Sequence, residues 1–230
     1  MKVVIAGGHG AVARLTGRRL VETGHEVLGV VRDPAHVEDL TADGMGAAVL
    51  DLEQARTAEM AALLAGAGCV VFAAGAGPGS GAARKDTVDR GAAVLLADAA
   101  VLAGVRAYLL VSSAGVESVR DGAEPDGVDE TMLAYLRAKL RAEDEVLARA
   151  DLDVLVLRPG HLTDDPPTGR VRLRADAVEG SVPRADVAEV LAEVVELVEA
   201  GTLPRATVLE LVGGEEPVVE AVTAGLGRQD

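Results

Sequence analysis

The sequence predicts an α/β fold: a doubly wound, Rossmann-type parallel sheet with helices on both faces. Short runs rich in valine, leucine and alanine alternate along the chain with longer amphipathic segments, which is the order of strands and helices in such folds. The runs are continuously apolar, as is typical of strands buried on both faces of a parallel sheet. With 230 residues, of which 49% are hydrophobic, the chain can form one domain with a sizeable core.

The elements of this fold can be placed in order up to about residue 158. The predicted strands are Val3–Ala6, Glu26–Val31, Ala47–Leu50, Cys69–Ala74, Ala107–Val111 and Asp153–Leu157. The predicted helices lie near residues 11–23, 34–42, 56–66, 85–103 and 129–150. Segments rich in glycine, proline and aspartate predict loops at residues 75–81, 120–128 and 159–170.

The regular alternation of strands and helices ends near residue 159. The remaining patterns predict a strand at 171–174, a helix at 184–200, a strand at 206–212 and a last helix at 215–225. The segment Ser181–Asp186 is interpreted as the start of the second-last helix. This part is too short for a separate domain, so we expect one domain over residues 1–230. In that domain, residues 159–230 form a small extension that completes the substrate side of the cleft.

The first strand runs into a glycine-rich turn that opens a helix. Gly7, Gly10 and Ala13 give the spacing G-x-x-G-x-x-A, which would permit the turn, the approach of a phosphate and close helix packing. The helix N-terminus would then offer N–H groups to a pyrophosphate. The alternative is an ordinary strand–turn–helix connection, since glycine-rich turns are common. The cofactor-binding residues predicted here are Gly7, Gly8, His9, Gly10, Ala11 and Val12.

The end of the second strand bears on the choice between NADP and NAD. An arginine at this point accommodates the 2′-phosphate of NADP, whereas an acidic residue selects NAD. Arg32 comes first here, so we predict that it binds the phosphate, with help from Arg14. Asp33, before Pro34, is interpreted as a helix cap. NADP is therefore favoured and NAD remains possible; the alternative is a solvated surface Arg–Asp pair.

The third and fourth strands end in further candidate cofactor contacts. Asp51, followed by Leu52, could accept a hydrogen bond from the adenine amino group or could equally be a helix N-cap. The small residues Ala73, Ala74 and Gly75 would leave space for a flat ligand, or form a flexible turn.

A serine–tyrosine–lysine set is the candidate catalytic site. The fifth strand ends at Val111 and is followed by Ser112 and Ser113. Tyr135 and Lys139 come later, four positions apart, and would share a helix face. An ammonium beside a tyrosine favours its phenolate form and so its exchange of a proton with a substrate oxygen. Ser113, with Ser112 as the substitute, would hold that oxygen, although each residue alone is compatible with a purely structural role.

Together these motifs resemble the short-chain dehydrogenase/reductase superfamily. The similarity is greatest to its atypical, NmrA-like NAD(P)-binding branch, related to biliverdin/flavin reductases and sugar-nucleotide epimerases. It extends over roughly residues 2–212 and is carried by the glycine turn and by five further motifs: Val31-Arg32-Asp33-Pro34, Asp51-Leu52, Val111-Ser112-Ser113, Tyr135-x-x-x-Lys139 and Leu157-Arg158-Pro159-Gly160.

The resemblance implies that Lys139 also binds the nicotinamide ribose. It implies that the stretch from Arg158 to Leu162 borders the nicotinamide and the substrate; this stretch includes Pro159, Gly160 and His161. For His161, a structural hydrogen bond is an alternative to substrate contact. The asparagine that many active members carry in the fourth helix has no counterpart; Asp86 and Asp89 lie in that region.

Composition restricts the partners of the protein. The net charge of −15 would repel phosphate backbones and anionic lipid surfaces, and aromatic residues are only 1% of the chain, so we expect neither nucleic acid nor a membrane as partner. A single cysteine, Cys69, permits no internal disulfide and fits a cytoplasmic protein. The spacing of the histidines predicts no metal site. We expect a small-molecule substrate and a monomer or small homo-oligomer.

These observations predict an NADP(H)-dependent oxidoreductase that acts on a small carbonyl or hydroxyl, quinone or flavin-like substrate. Two alternatives remain open. One is a redox sensor that binds NAD(P) without turnover and signals to another protein. The other is a sugar-nucleotide epimerase, which would need a larger nucleotide pocket than residues 160–230 are expected to form.

Overall fold

The computed structural model, which describes residues 1–77 and 79–227, has a nine-stranded sheet at its centre. Its strands in chain order are β1 (Lys2–Ala6), β2 (Glu26–Val31), β3 (Gly46–Val49), β4 (Ala67–Phe72), β5 (Ala107–Val111), β6 (Asp153–Pro159), β8 (Arg170–Arg174), β10 (Thr207–Gly213) and β11 (Glu216–Pro217). A second, two-stranded sheet pairs β7 (His161–Thr163) with β9 (Ser181–Pro183).

Helices connect most of these strands. They are α1 (Ala11–Glu22), α2 (Val37–Ala42), α3 (Thr57–Leu63), α4 (Ala82–Arg84), α5 (Ala93–Ala103), α6 (Glu130–Leu147), α7 (Arg184–Glu199) and α8 (Val218–Gly227). Between α4 and α5 the chain continues as a π-helix, Lys85–Ala92, and short 3₁₀ helices occur at Pro34–His36 and Val116–Gly122. None of the helices described is long and apolar enough to cross a membrane.

The strand order confirms the predicted fold. Across the sheet the strands run β11-β8-β10-β6-β5-β4-β1-β2-β3. Neighbouring strands from β10 to β3 are parallel, and β8 and β11 extend that edge in antiparallel pairing. The order reverses at β1, and in such sheets the crevice outside the carboxyl ends at this point is where ligands bind.

Two apolar layers, one on each face of the sheet, account for the continuously apolar strands. Successive side chains of a strand point to opposite faces. In β1, Val3 and Ile5 therefore join the core beneath α1, α7 and α8, while Val4 and Ala6 join the core beneath α3, α5 and α6. Burial of both faces removes any polar alternation from the sequence of the strand.

The structure corrects two predictions in the C-terminal third. Residues 159–170, predicted as a loop, contain the end of β6 and all of β7, and Ser181–Pro183, interpreted as the start of a helix, is β9. Hydrogen bonds from the Gly160 amide to Leu211 O (2.8 Å) and from the His161 amide to Gly180 O (3.0 Å) hold these segments extended. Strands of three residues are too short to show an alternation of apolar and polar residues in the sequence, so these two strands could not be predicted from it. In the predicted loop 75–81, residue 78 lies outside the described residues.

Candidate functional site

The glycine turn after β1 forms one wall of a cleft at the carboxyl edge of the sheet. Gly7 has φ +81, and a Cβ added to it would lie 2.5 Å from Ala74 Cα. A Cβ on Gly8 would lie 2.8 Å from Gly29 Cα. The amides of Gly7 and Gly8 donate to Val30 O, at 3.1 and 2.9 Å, and Gly10 begins α1 without a side-chain cap. The turn therefore requires glycine, and no side chain in the described part of the chain caps the start of α1 with a hydrogen bond.

The cleft has a volume of 330 Å³ and contains many of the predicted cofactor residues. The predicted residues that line it are Gly7, His9, Gly10, Arg32, Asp51, Leu52, Ala73, Ala74 and Gly75. Residues without a cofactor assignment in the sequence also line it: Val30, Val31, Asp33, His36, Leu50, Glu53, Arg84 and Val88. Of the remaining loop residues, Ala11 is exposed, whereas Val12 is buried in the core.

Two arginines meet at Glu53 on the side of the cleft formed by β2. Arg32 Nη1 lies 3.5 Å and Arg84 Nε 3.3 Å from Glu53 Oε2, and Thr87 Oγ1 donates to Glu53 Oε1 at 2.6 Å. The hydrogen bond from Thr87 and the nearby arginines hold the pKa of Glu53 below its usual value. Asp33 accepts from the Ala35 amide at 2.9 Å and caps the following 3₁₀ turn, as predicted.

Arg14 does not reach the cleft, contrary to its predicted supporting role. Its guanidinium pairs with Asp43 at 2.5 Å and with Asp39 at 3.5 Å. The hydrogen bond from Arg14 holds the pKa of Asp43 below its usual value. A position in the first turn of α1 directs this side chain to the end of α2, where the acidic partners bind it.

His9 and Asp51, both predicted cofactor residues, have local partners at the cleft. The rings of His9 and His36 are stacked with centroids 3.6 Å apart, and His9 Nε2 lies 2.8 Å from Asp39 Oδ2. Asp51 Oδ1 accepts from the Glu53 amide at 3.0 Å. Asp51 thus stabilises a turn well before α3 begins, so it is not the N-cap of that helix.

Tyr135 and Lys139 lie one turn apart on α6, as their spacing predicts. Lys139 Nζ is 5.9 Å from the centroid of the Tyr135 ring. The ammonium donates to Val111 O at 3.1 Å, at the end of β5, and lies 3.4 Å from Asp89 Oδ1. The side chains of Lys139 and Asp89 are 5% and 1% exposed. The lysine is therefore fixed from two sides beside the tyrosine.

Asp89 and Lys85, which carry no predicted role, complete this group. Asp89 Oδ2 accepts from the Ala76 amide at 3.2 Å, so the carboxylate joins the loop after β4 to Lys139. Lys85 is buried, and its Nζ lies 5.2 Å from the Tyr135 ring centroid. Both residues belong to the π-helix, whose wider turn changes which side chains share a face. A sequence pattern that assumes the 3.6 residues per turn of an α-helix therefore cannot predict which way these two side chains face.

The two serines after β5 differ in how their hydroxyls are used. Ser113 Oγ donates to Ala114 O at 3.0 Å. Ser112 is buried, and its Oγ has no hydrogen-bond partner among the residues described. Ser112, the predicted substitute, is thus the serine with an unused hydroxyl.

Arg158 is a structural residue here, contrary to its implied place beside the nicotinamide. Its guanidinium lies 2.6 Å from Glu143, 3.0 Å from Glu117 and 3.3 Å from Glu210. Burial alone would lower the pKa of Arg158, but the hydrogen bonds and charges of the glutamates outweigh it and raise the pKa. Burial raises the pKa of Glu210. Arg158 therefore neutralises two buried carboxylates, Glu143 and Glu210, and each of its three guanidinium nitrogens donates to a glutamate.

The residues after Arg158 also lie outside the cleft lining. Pro159 is buried at the end of β6, and His161 is exposed. Gly160 is a point of close backbone contact, since a Cβ there would lie 2.3 Å from Gly180 O. The predicted set from Arg158 to His161 thus joins β6 to the small sheet.

One group of side chains resembles a metal site. Donor atoms of His25, Glu196 and Glu199 lie within 4.8 Å of one another. Both ring nitrogens of His25 are used, by the Met1 amine at 3.2 Å and by Glu196 at 2.9 Å. The group lies between the N-terminus and α7, and we assign no metal to it.

The cleft fits a dinucleotide. The glycine turn leaves room that a Cβ would fill, and α1 presents an uncapped N-terminus, as a pyrophosphate requires. After β5, Ser112 Oγ is buried and without a hydrogen bond in the described part of the chain. Such a hydroxyl is rarely left unpaired in proteins, so it is suited to a bound ligand.

Comparison with known proteins agrees with this geometry. The model of a family described as NAD(P)H-binding matches residues 7–197. A Bacillus subtilis protein named uncharacterized sugar epimerase YhfK is 30% identical, over 96% of this chain and 99% of its own.

Solved structures give the same result. A candidate NAD-dependent epimerase/dehydratase of Bacillus halodurans superposes with a TM-score of 0.84 at 31% identity, covering 97% of this chain and 99% of its own. ChuY of Escherichia coli O157:H7, named an anaerobillin reductase, superposes with a TM-score of 0.70 at 26% identity. The match covers 93% of this chain and 97% of ChuY.

Proposed function

Because the chain belongs to the NAD(P)H-binding family, we propose that it is an NADP(H)-dependent oxidoreductase. Its substrate would be a small carbonyl or hydroxyl compound, a quinone or a flavin-like molecule. The family supports nicotinamide cofactor binding in general, and the reaction and the preference for NADP are proposed here. The observation that carries the proposal is the Tyr135–Lys139 pair, in which the lysine ammonium is anchored at the end of β5.

The bound nicotinamide would supply or accept the hydride. Tyr135 would donate the proton that the substrate oxygen takes up on reduction, and the ammonium of Lys139 would stabilise the phenolate left behind. Val111 O and Asp89 hold that ammonium in place. The unused hydroxyl of Ser112 is suited to hold the substrate oxygen, with Ser113 as the alternative.

The proposed preference for NADP depends on the two arginines near Glu53. Arg32 and Arg84 approach this carboxylate from different elements, and both line the cleft. Guanidinium groups bind phosphates with paired hydrogen bonds. A 2′-phosphate would therefore take up arginine donors that are now shared with one carboxylate.

The proposal is tested by steady-state oxidation of NADPH with aldehydes, quinones and flavins as acceptors. We expect turnover with at least one of these classes and tighter binding of NADPH than of NADH. Tight NADPH binding without turnover for any class would contradict an oxidoreductase and favour the redox sensor. The cytoplasm as its compartment and its oligomeric state stay predictions.

A second candidate, an epimerase, is favoured by the name of the Bacillus subtilis relative. An epimerase of this kind returns the hydride to the same substrate, so no net NADPH oxidation would occur. Incubation with nucleotide sugars such as UDP-galactose, without added cofactor, tests it. Formation of the epimer by protein that retains its nucleotide after gel filtration would support this candidate, and absence of the epimer would contradict it.

A further inference from the structure

Lys85 is a largely buried residue whose ammonium lies over the ring of Tyr135. The residue is 7% exposed, and within residues 1–77 and 79–227 its ammonium makes no hydrogen bond and no ion pair. The other two lysines do: Lys2 donates to Leu63 O and Ala65 O, and Lys139 contacts Val111 O and Asp89. Lys85 is thus the exception among the lysines of this chain.

The carboxylates around Lys85 have other partners. Asp86 accepts two hydrogen bonds from Arg90, both at 2.7 Å. Asp89 pairs with Lys139, and Glu53 is bound by Arg84 and Thr87. Each of these carboxylates thus pairs with another cation, and among the described residues none forms an ion pair with Lys85.

Most of the Lys85 side chain is buried, but its ammonium is still open to solvent. The face of the Tyr135 ring lies 5.2 Å from Lys85 Nζ, a cation–π contact that holds the ammonium beside the tyrosine. The donors of Lys85 are therefore accessible to a ligand that enters from solvent.

The position of Lys85 indicates which ligand that is. The neighbouring residues Arg84 and Val88 line the cleft of the glycine turn, whereas Lys85, like Tyr135 and Lys139, lies outside that lining. It lies instead beside Tyr135, where the substrate oxygen would be protonated. The chain carries a net charge of −15, which opposes the approach of any anion unless a local cation binds it.

We propose that Lys85 binds a carboxylate of the substrate, next to the carbonyl on which Tyr135 acts. This inference rests on the proposed function and narrows its substrate class to keto or aldehyde acids. Lys85 is then a substrate-binding residue that discriminates acids from their neutral esters.

The test uses pairs of acceptors that differ only in charge: phenylglyoxylate and para-carboxybenzaldehyde, each against its methyl ester, with NADPH. Wild type is compared with Lys85→Met, which keeps the length of the side chain, and with Lys85→Arg, which keeps the charge. Arg106→Met is the control, because it removes one positive charge at a position that is 62% exposed, where the guanidinium pairs with Asp153 at the start of β6. Binding of phenylglyoxylate to the NADP⁺-saturated enzyme is measured by calorimetry, which does not depend on turnover.

We expect wild type to prefer the acids, and Lys85→Met to lower the ratio of kcat/KM for acid over ester by at least ~10-fold, mainly through KM. Phenylglyoxylate binding should weaken by a similar factor in Lys85→Met, and Lys85→Arg should retain much of it. Arg106→Met should leave the acid-over-ester ratio and the binding of phenylglyoxylate unchanged. If Lys85→Met does not fold, Lys85→Gln takes its place.

Other outcomes separate the inference from the proposed function. Binding of phenylglyoxylate that depends on Lys85, without reduction of any acceptor, would uphold the inference and contradict the proposed reaction. Reduction of acids and esters alike, unaffected at Lys85, would overturn the inference and leave the reaction intact. Three further results would also overturn the inference. The first is that Lys85→Met binds NADP⁺ more weakly than wild type does, and the second is that Lys85→Met loses kcat equally for acid and ester; the third is that wild type binds no acid.

Discussion

Lys139 is the residue on which the candidate site depends, because one ammonium group joins three parts of the fold. It contacts the end of β5 through Val111 O, the π-helix through Asp89, and lies beside Tyr135 on its own helix. The spacing of Tyr135 and Lys139 predicts their shared face, since both belong to a regular helix. The partner Asp89 could not be predicted, because it lies on a helix with a different period.

Arg158 and Arg14 show the limit of predictions for single arginines. A motif gives the position of a guanidinium in the chain, but its partner depends on which carboxylates the fold brings near it. Arg158 meets three glutamates from separate elements, and Arg14 meets Asp43 and Asp39. No local pattern contains these pairs.

At the same scale, Arg32→Ala tests the preference for NADP. Loss of a guanidinium that binds the 2′-phosphate should raise the Kd for NADPH by ~10- to 100-fold and leave the Kd for NADH nearly unchanged, since a hydrogen bond to a charged group contributes about 1.5–3 kcal/mol. Fluorescence titration with both cofactors measures it.

Arg56→Ala is the matched control, because Arg56 is 79% exposed and its guanidinium pairs with Glu59 in the first turn of α3. Arg56→Ala should leave both the Kd for NADPH and the Kd for NADH unchanged. Equal weakening of NADPH and NADH in Arg32→Ala would contradict a contact with the 2′-phosphate.

At the scale of elements, the glycine turn and the π-helix form the two sides of the site. The turn is recognised in the sequence because its glycines are required by close contacts: Gly7 against Ala74 and Gly8 against Gly29. The π-helix is not recognised, although it supplies both Lys85 and Asp89. Its irregular period is the physical reason that the places of these two side chains, beside Tyr135 and Lys139, could not be predicted.

The turn is tested by Gly7→Ala. The added Cβ would overlap Ala74, and the φ of +81 adds ~1 kcal/mol of strain. We expect the Kd for NADPH to rise at least ~10-fold, as measured by titration, together with a lower Tm.

Gly24→Ala separates these two effects. Gly24 has φ +91 but nothing within 4 Å of an added Cβ, so this variant carries the strain without the overlap. It should lower the free energy of unfolding by ~1 kcal/mol and leave NADPH binding unchanged. An unchanged Kd in Gly7→Ala would remove the turn from the cofactor site.

For the whole molecule, the sheet explains why the site lies where it does. The strand order reverses at β1, and the glycine turn and the ends of β2 and β4 meet at that crevice. The parallel sheet and its order of strands and helices follow from the continuous apolar runs and are confirmed. The small sheet of β7 and β9 was not predicted, because its strands of three residues depend on partners distant in the chain.

The central claim is that Tyr135 transfers a proton in an NADPH-dependent reduction, and kcat of Tyr135→Phe tests it most directly. Tyr108→Phe is the control: it removes the hydroxyl that donates to Ala93 O at 2.8 Å, in the buried core. We predict that Tyr135→Phe lowers kcat by ~100-fold or more with the Kd for NADPH unchanged, while Tyr108→Phe keeps kcat and loses only stability. Wild-type kcat in Tyr135→Phe would contradict the account.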